Sequence, residues 1–166
     1  GNVAYNMGLG VDDKTLQMTG MELMLEGGRV PAEQLGRFNF IAYQLANNLG
    51  QLGKARTYLQ AAIDNNFRTE TIGRADLQIA MAESYFSADE LQQGLDYIGG
   101  AIAERKAAGE DVPEQWYRRG ITVAYDNELT SELYDMAAMW VVDYPSNTNW
   151  RDAINLVLML GLYFLA

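Results

Sequence analysis

Small and apolar residues recur along this chain at intervals of three and four, the spacing that gathers side chains on one face of an α-helix. Four segments carry it in the same form: Gly20-Met24-Gly27, Ala55-Leu59-Ala62, Gly94-Ile98-Ala101 and Leu133-Ala137-Trp140. Strict polar-apolar alternation, the mark of a half-buried strand, is nearly absent. The periodic stretches predict an all-α chain with helices over roughly 12–26, 32–49, 53–66, 73–86, 88–107, 113–127, 130–143 and 148–165. The three prolines, Pro31, Pro113 and Pro145, fall between these stretches, where helices start and stop.

Local chemistry sharpens several boundaries. Ser87-Ala88-Asp89-Glu90 has the form of a capping box, in which hydroxyl and carboxylate each satisfy a backbone N–H at a helix start. Asp111-Val112-Pro113-Glu114 reads the same way, with proline in the first turn. Gly27-Gly28, Asn65-Asn66 and Ala108-Gly109 are expected at helix ends, where a left-handed residue closes the last turn. Gly8-Leu9-Gly10, without a third glycine or a strand before it, reads as a loose turn rather than a phosphate loop.

The four small-residue sets begin 35, 39 and 39 residues apart. A nearly fixed period in this range is the signature of a helical solenoid, whose unit is too small to bury its own face and stacks on its neighbours. The chain accordingly reads as one domain, 1–166, of helix-pair units at approximately 1–30, 32–67, 73–108 and 113–145, with a trailing helix over 148–166.

These residues resemble the tetratricopeptide repeat (TPR) family. Asn6-Met7-Gly8 resembles its Leu-Gly element, with Gly20 twelve residues on. Met81-Ala82 and Tyr85, followed by Leu91, Gly94, Ile98 and Ala101, match a further unit; Trp116 and Gly120 resemble the aromatic and glycine of another, which Pro145 closes. Leu49 to Ala55 matches in its second helix, but Tyr43 stands where the family has a small residue, and intervals of 39 exceed the family's usual ~34. The resemblance implies a right-handed solenoid of antiparallel helix pairs, about three to four repeats. The segments Ala107 to Trp116 and Tyr144 to Asp152 are also similar to bacterial TPR proteins of unassigned function whose repeats follow a signal peptide, which tilts the expected location to the periplasm or envelope over the cytoplasm. The chain opens Gly1-Asn2 with no basic-then-apolar leader, as expected where a targeting signal was removed or never included.

Composition narrows the chemistry. Of 166 residues 49% are hydrophobic and 20% charged, enough apolar content for a core. The absence of histidine and cysteine excludes Ser-His and Cys-His nucleophile pairs, Cys/His zinc sites and disulfides. A net charge of -10 argues against nucleic acid, whose affinity comes largely from Lys and Arg on phosphates. The longest apolar run, Leu156 to Ala166, has 11 residues, short of the ~20 that span a bilayer.

Candidate chemistry is sparse. Glu83-Ser84-Tyr85-Phe86 resembles the element around the catalytic acid of lytic transglycosylases, which would make Glu83 a protonated acid beside a bound glycan. The following Gly-Leu-Met-Gln-like element is missing and Tyr85 already has a place in the repeat, so Glu83 is not assigned catalysis. Asp12-Asp13, Asp89-Glu90 and Glu110-Asp111 lack the twelve-residue loop of a calcium site and suit helix N-termini. Ser84, Ser87, Ser131 and Ser146 include no nucleophile elbow. No metal or cofactor is expected.

If first helices line a concave face, as the resemblance implies, Arg37, Gln44, Asn47, Asn48, Asp76, Glu83, Tyr117 and Arg118 are the candidates to contact a peptide, asparagines holding its backbone through paired donor and acceptor. The only lysines, Lys14, Lys54 and Lys106, lie outside those positions, so acidic chaperone tails are not expected partners. The C-terminal helix is apolar on every side where terminal repeats usually carry a polar face. Leu156, Leu158, Leu160, Leu162, Tyr163 and Phe164 are therefore candidates for self-association as a homodimer. The expected function is a non-catalytic scaffold binding a protein or peptide with a neutral or basic surface; a Glu83-centred envelope hydrolase and a self-assembly module are the alternatives.

Overall fold

The structure, a computed structural model, describes the backbone of residues 1–163 and the side chains of residues 1–159. Helices α1 (Asn2–Gly10), α2 (Lys14–Glu26), α3 (Leu35–Asn48), α4 (Leu52–Asp64), α5 (Arg74–Phe86), α6 (Leu91–Ala107), α7 (Glu114–Asp126), α8 (Thr130–Asp143) and α9 (Asn147–Tyr163) follow in order, with a 3-10 turn, Ala32–Gln34, leading into α3. No strand occurs among the described residues. The chain divides into two compact units, Gly1–Ser84 and Tyr85–Ala166. In the first, α1 packs on α2, α2 on α3 and α3 on α4; in the second, α6 packs on α7, α7 on α8 and α8 on α9.

The turns that join α1 to α2, α3 to α4, α5 to α6 and α7 to α8 share one construction. A residue in the left-handed region reverses the chain, and the next N–H reaches back five residues to close the preceding helix. The left-handed residues are Asp12, Gly50, Asp89 and Glu128, 38, 39 and 39 positions apart. The closing bonds run from Asp13 N–H to the Gly8 carbonyl (2.8 Å), Gln51 to Ala46 (2.9 Å), Glu90 to Tyr85 (3.0 Å) and Leu129 to Ala124 (2.8 Å). Gly28, Asn66 and Gly109 are left-handed at the ends of α2, α4 and α6, the places where the sequence predicts such closures.

That construction corrects the expected capping box at Ser87. The peptide groups of Ala88, Asp89 and Glu90 are already committed to closing α5, so α6 begins only at Leu91, with Glu90 at its N-cap and no side-chain cap bond. Asp111 likewise does not cap α7; Pro113 takes the N-cap position and the Asp111 carbonyl accepts from Arg105 Nε at 2.9 Å. Gly8-Leu9-Gly10, expected as a loose turn, is the last turn of α1.

Gly8 of α1 and Gly20 of α2 are there for packing. A Cβ on Gly20 would lie 2.3 Å from the Tyr5 backbone nitrogen, and one on Gly8 would lie 2.7 Å from that of Gln17. Only glycine lets α1 and α2 come this close. Gln17, buried in the crossing, donates from Nε2 to the Gly8 carbonyl at 3.1 Å. Beyond it, Met18, Met21, Ala42, Leu45, Ala46 and Ala55 form a continuous core across α2, α3 and α4. The repeated sets found in the sequence are buried with two exceptions: Met24 is partly covered and Gly27 is exposed. Fully burying a residue such as Leu59 or Ile98 contributes about 2 kcal/mol.

Candidate functional site

On α3 the face formed by Gly36, Asn39, Ala42, Leu45 and Ala46 is buried, which turns Arg37, Gln44, Asn47 and Asn48 outwards. The linker after α4 then runs back beside α3. It can do so because Gly36 has no side chain; a Cβ there would stand 3.0 Å from the Asn65 carbonyl and 3.1 Å from the Phe67 Cβ. Phe67 stacks on Phe40, centroids 4.5 Å apart and planes 17° from parallel, and Phe40 meets Tyr43 at 5.7 Å. A turn in which the Ile72 N–H donates to Thr69 Oγ1 (3.0 Å) brings Ile72 alongside. Asp76, in the first turn of α5, accepts from the Gly73 N–H at 2.7 Å and is fixed in place.

Between these elements lies a groove of about 580 Å³ lined by Phe40, Tyr43, Gln44, Asn47, Asn48, Ile72, Asp76, Leu77 and Ala80. Four of the sequence-predicted residues, Gln44, Asn47, Asn48 and Asp76, thus meet at one place. The amides of Gln44, Asn47 and Asn48 make no hydrogen bond among the described residues and stand exposed at i, i+3 and i+4 on α3. Burial raises the Tyr43 hydroxyl above its ordinary pKa, so it enters the wall as a neutral phenol. The groove therefore offers free donors and acceptors, one fixed carboxylate and an aromatic wall.

The other candidates lie elsewhere. Arg37 is exposed in the first turn of α3, outside the groove lining, and Glu83 is half-buried in the last turn of α5. Tyr117, expected on an inner surface, is completely buried; its hydroxyl donates to the Asp143 carboxylate, which also pairs with Lys106 at 2.7 Å. Burial, and then the bond to Asp143, pushes the Tyr117 phenol far above its usual value. Burial alone would raise Asp143, but hydrogen bonds from Lys106 and Tyr117 hold it below the ordinary carboxylate range. Tyr117 is thus a structural residue.

Arg118 lies in a second groove, of about 430 Å³, between α7 and α9, with Ile121, Thr122, Tyr125, Asp126, Trp140, Asp152, Asn155, Leu156 and Met159. The two linings repeat in register. Phe40, Tyr43, Gln44, Asn47 and Asn48 correspond to Arg118, Ile121, Thr122, Tyr125 and Asp126, each 78 residues later, and Asp76, Leu77 and Ala80 correspond to Asn155, Leu156 and Met159, each 79 later. That is close to twice the 39-residue period. Compared with known proteins, the chain matches no family model, no curated protein and no solved structure.

Of the residues expected to self-associate, Leu156 is half-buried and Leu158 is exposed, while the side chains of Leu160, Leu162, Tyr163 and Phe164 lie outside the described residues. Trp150, Ile154 and Leu158 form an exposed ridge along α9 at 49%, 52% and 55% exposure, beside a cleft lined by Tyr134, Ala137, Val141 and Ala153. Among the described residues no helix is long and apolar enough to cross a membrane, and no group of three or more acidic side chains is placed to hold a metal ion. Sequence reasoning missed Phe40, Tyr43 and Ile72 as walls, Asp126 and Asn155 as counterparts one double period on, and Asp152, which has no counterpart in the first groove. Extending the 39-residue comparison from the packed positions to the exposed ones would have found the counterparts.

Proposed function

We propose that this chain is a non-catalytic, TPR-like helix-pair scaffold that binds an extended segment of another protein along its first helices. The observation that carries this reading is the α3–α5 groove, in which three unengaged amides face a fixed carboxylate beside aromatic walls. Paired amide donors and acceptors suit a peptide backbone, and Asp76 favours a neutral or basic segment. The recurring turns at Asp12, Gly50, Asp89 and Glu128 and the matched linings of the two grooves support stacked repeats over an irregular bundle.

A displayed library of random peptides selected on the whole chain tests it. Selected peptides should lose about tenfold or more in affinity when Asn47 and Asn48 are both replaced by Ala, roughly two exposed hydrogen-bonding groups' worth. Undiminished affinity would refute the groove reading. The α9 ridge of Trp150, Ile154 and Leu158 favours a second reading, self-assembly through the C-terminal helix. Sedimentation of the whole chain and of a Trp150→Ser, Leu158→Ser variant checks it: a concentration-dependent dimer lost in the variant supports self-assembly, and a monomer in both removes it.

A further inference from the structure

The α7–α9 groove differs from its α3–α5 counterpart in chemistry, and the difference specifies a ligand. We propose that it takes a basic peptide segment that presents a long apolar side chain next to a lysine or arginine. This rests on the reading of the chain as a groove binder and adds the class of partner.

The apolar part of the lining is supplied by Ile121, Trp140, Leu156 and Met159. Where the first groove has amides at Asn47 and Asn48, this one has Tyr125 and Asp126, and a second carboxylate, Asp152, comes from the start of α9. The volume of about 430 Å³ accommodates a few side chains.

The charge balance of the lining is negative despite Arg118. That guanidinium is claimed by Glu114, which it meets through Nε at 3.0 Å and Nη2 at 2.9 Å, and its central carbon lies over Trp140, 4.7 Å from the ring centroid. Glu114 also accepts from Trp140 Nε1 at 2.9 Å, and the hydrogen bonds from Trp140 and Arg118 hold its carboxyl below the ordinary range against the effect of burial. Arg118 therefore covers the indole with its charge already matched. Asp126 has no ion-pair or hydrogen-bond partner among the described residues, and Asp152 has only a loose one, Arg151 Nε at 3.6 Å. No lysine or arginine occurs from residue 121 to residue 149, where five acids do, so the surrounding chain adds to the negative field. An acidic segment would meet unpaired carboxylates; a purely apolar one would leave them unused; a basic one with an apolar anchor satisfies both parts of the lining.

The test is an amide chemical-shift titration of the whole ¹⁵N-labelled chain with two acetylated, amidated pentapeptides, Gly-Lys-Leu-Lys-Gly and Gly-Glu-Leu-Glu-Gly. The lysine peptide should give saturable shifts at Tyr125, Asp126 and Asn155 with millimolar affinity, and bind about fivefold or more tighter than the glutamate peptide, the scale of one exposed charge pair. Asp126 is exposed and unpaired in the native chain, so Asp126→Lys should keep a dispersed spectrum and, with Asp152 then balanced by the new lysine, abolish the preference. Equal binding of the two peptides, no saturation by either below about 10 mM, or an unchanged preference in Asp126→Lys would overturn the proposal. Lysine-peptide shifts confined to residues 40–48 and 72–80 would overturn it too, while leaving the α3–α5 groove reading intact.

Discussion

Phe67, carried on the linker after α4, stacks on Phe40 of α3 and so fixes one wall of the first groove. The stack is possible only because Gly36 lets the linker approach the helix. Replacing the half-buried Phe67 by Ala should cost about 2 kcal/mol, from lost ring burial and stacking. Chemical denaturation should show that loss together with weakened binding of library-selected peptides.

The crossing of α1 and α2 tolerates no side chain at residue 20. Gly20→Ala should destabilise by about 2 kcal/mol or more, because its Cβ would press on the Tyr5 backbone and not on a movable side chain. Gly99 lies inside α6 with open space around its missing Cβ. Gly99→Ala should therefore stabilise, by about 0.5–1 kcal/mol. Melting temperatures of the two variants should move in opposite directions.

The Tyr117–Asp143–Lys106 network makes stability depend on pH at both extremes. Tyr117 keeps its proton in the folded chain at pH values where an unfolded tyrosine, near ~10, loses it. Its contribution is complete below about pH 10 and fades as pH rises towards the elevated folded value, so Tyr117→Phe should flatten the alkaline loss of stability. Asp143 acts in the opposite sense. Its depressed pKa contributes fully above the unfolded value, near ~3.9, and is lost as pH falls through the folded one, so Asp143→Asn should flatten part of the acid loss. Denaturation midpoints across pH, compared with the native chain, check both slopes.

Much of the architecture was legible because it is written in packing periodicity. The predicted intervals at Ala55, Gly94 and Leu133 fall on buried positions, and Gly28, Asn66 and Gly109 close helices as their chemistry requires. Local signals failed where a tertiary or neighbouring demand took precedence. Ser87 looked like an N-cap, yet closing α5 around left-handed Asp89 had already used that stretch of backbone. Gly8 and Gly10 looked like a turn because glycine has poor helix propensity, whereas Gly8 is needed for the close approach of Gln17. Gln44, Asn47 and Asn48, expected on an inner face because the repeat resemblance puts first helices there, do line one groove. Tyr117 misled because an aromatic with a polar tip can face water or bury against a carboxylate, and its partner Asp143 is 26 residues away in sequence.

Gln44, Asn47 and Asn48 have no structural duty visible in their bonding. Replacing any one by Ala should change stability by no more than about 0.5 kcal/mol, in contrast to the buried Asn39, whose amide donates to the Leu35 carbonyl at 2.8 Å. Asn39→Ala should cost about 1–2 kcal/mol. Equilibrium unfolding of the four single variants distinguishes groove residues from framework.

The most direct test of the groove-binding account is an amide chemical-shift map of the ¹⁵N-labelled chain with a library-selected peptide. Saturable shifts should be concentrated at residues 40–48 and 72–80, and in the Asn47→Ala, Asn48→Ala double variant they should need about tenfold or more peptide to reach the same extent. Shifts confined to the Trp150–Ile154–Leu158 ridge, or undisturbed by the double substitution, would contradict it.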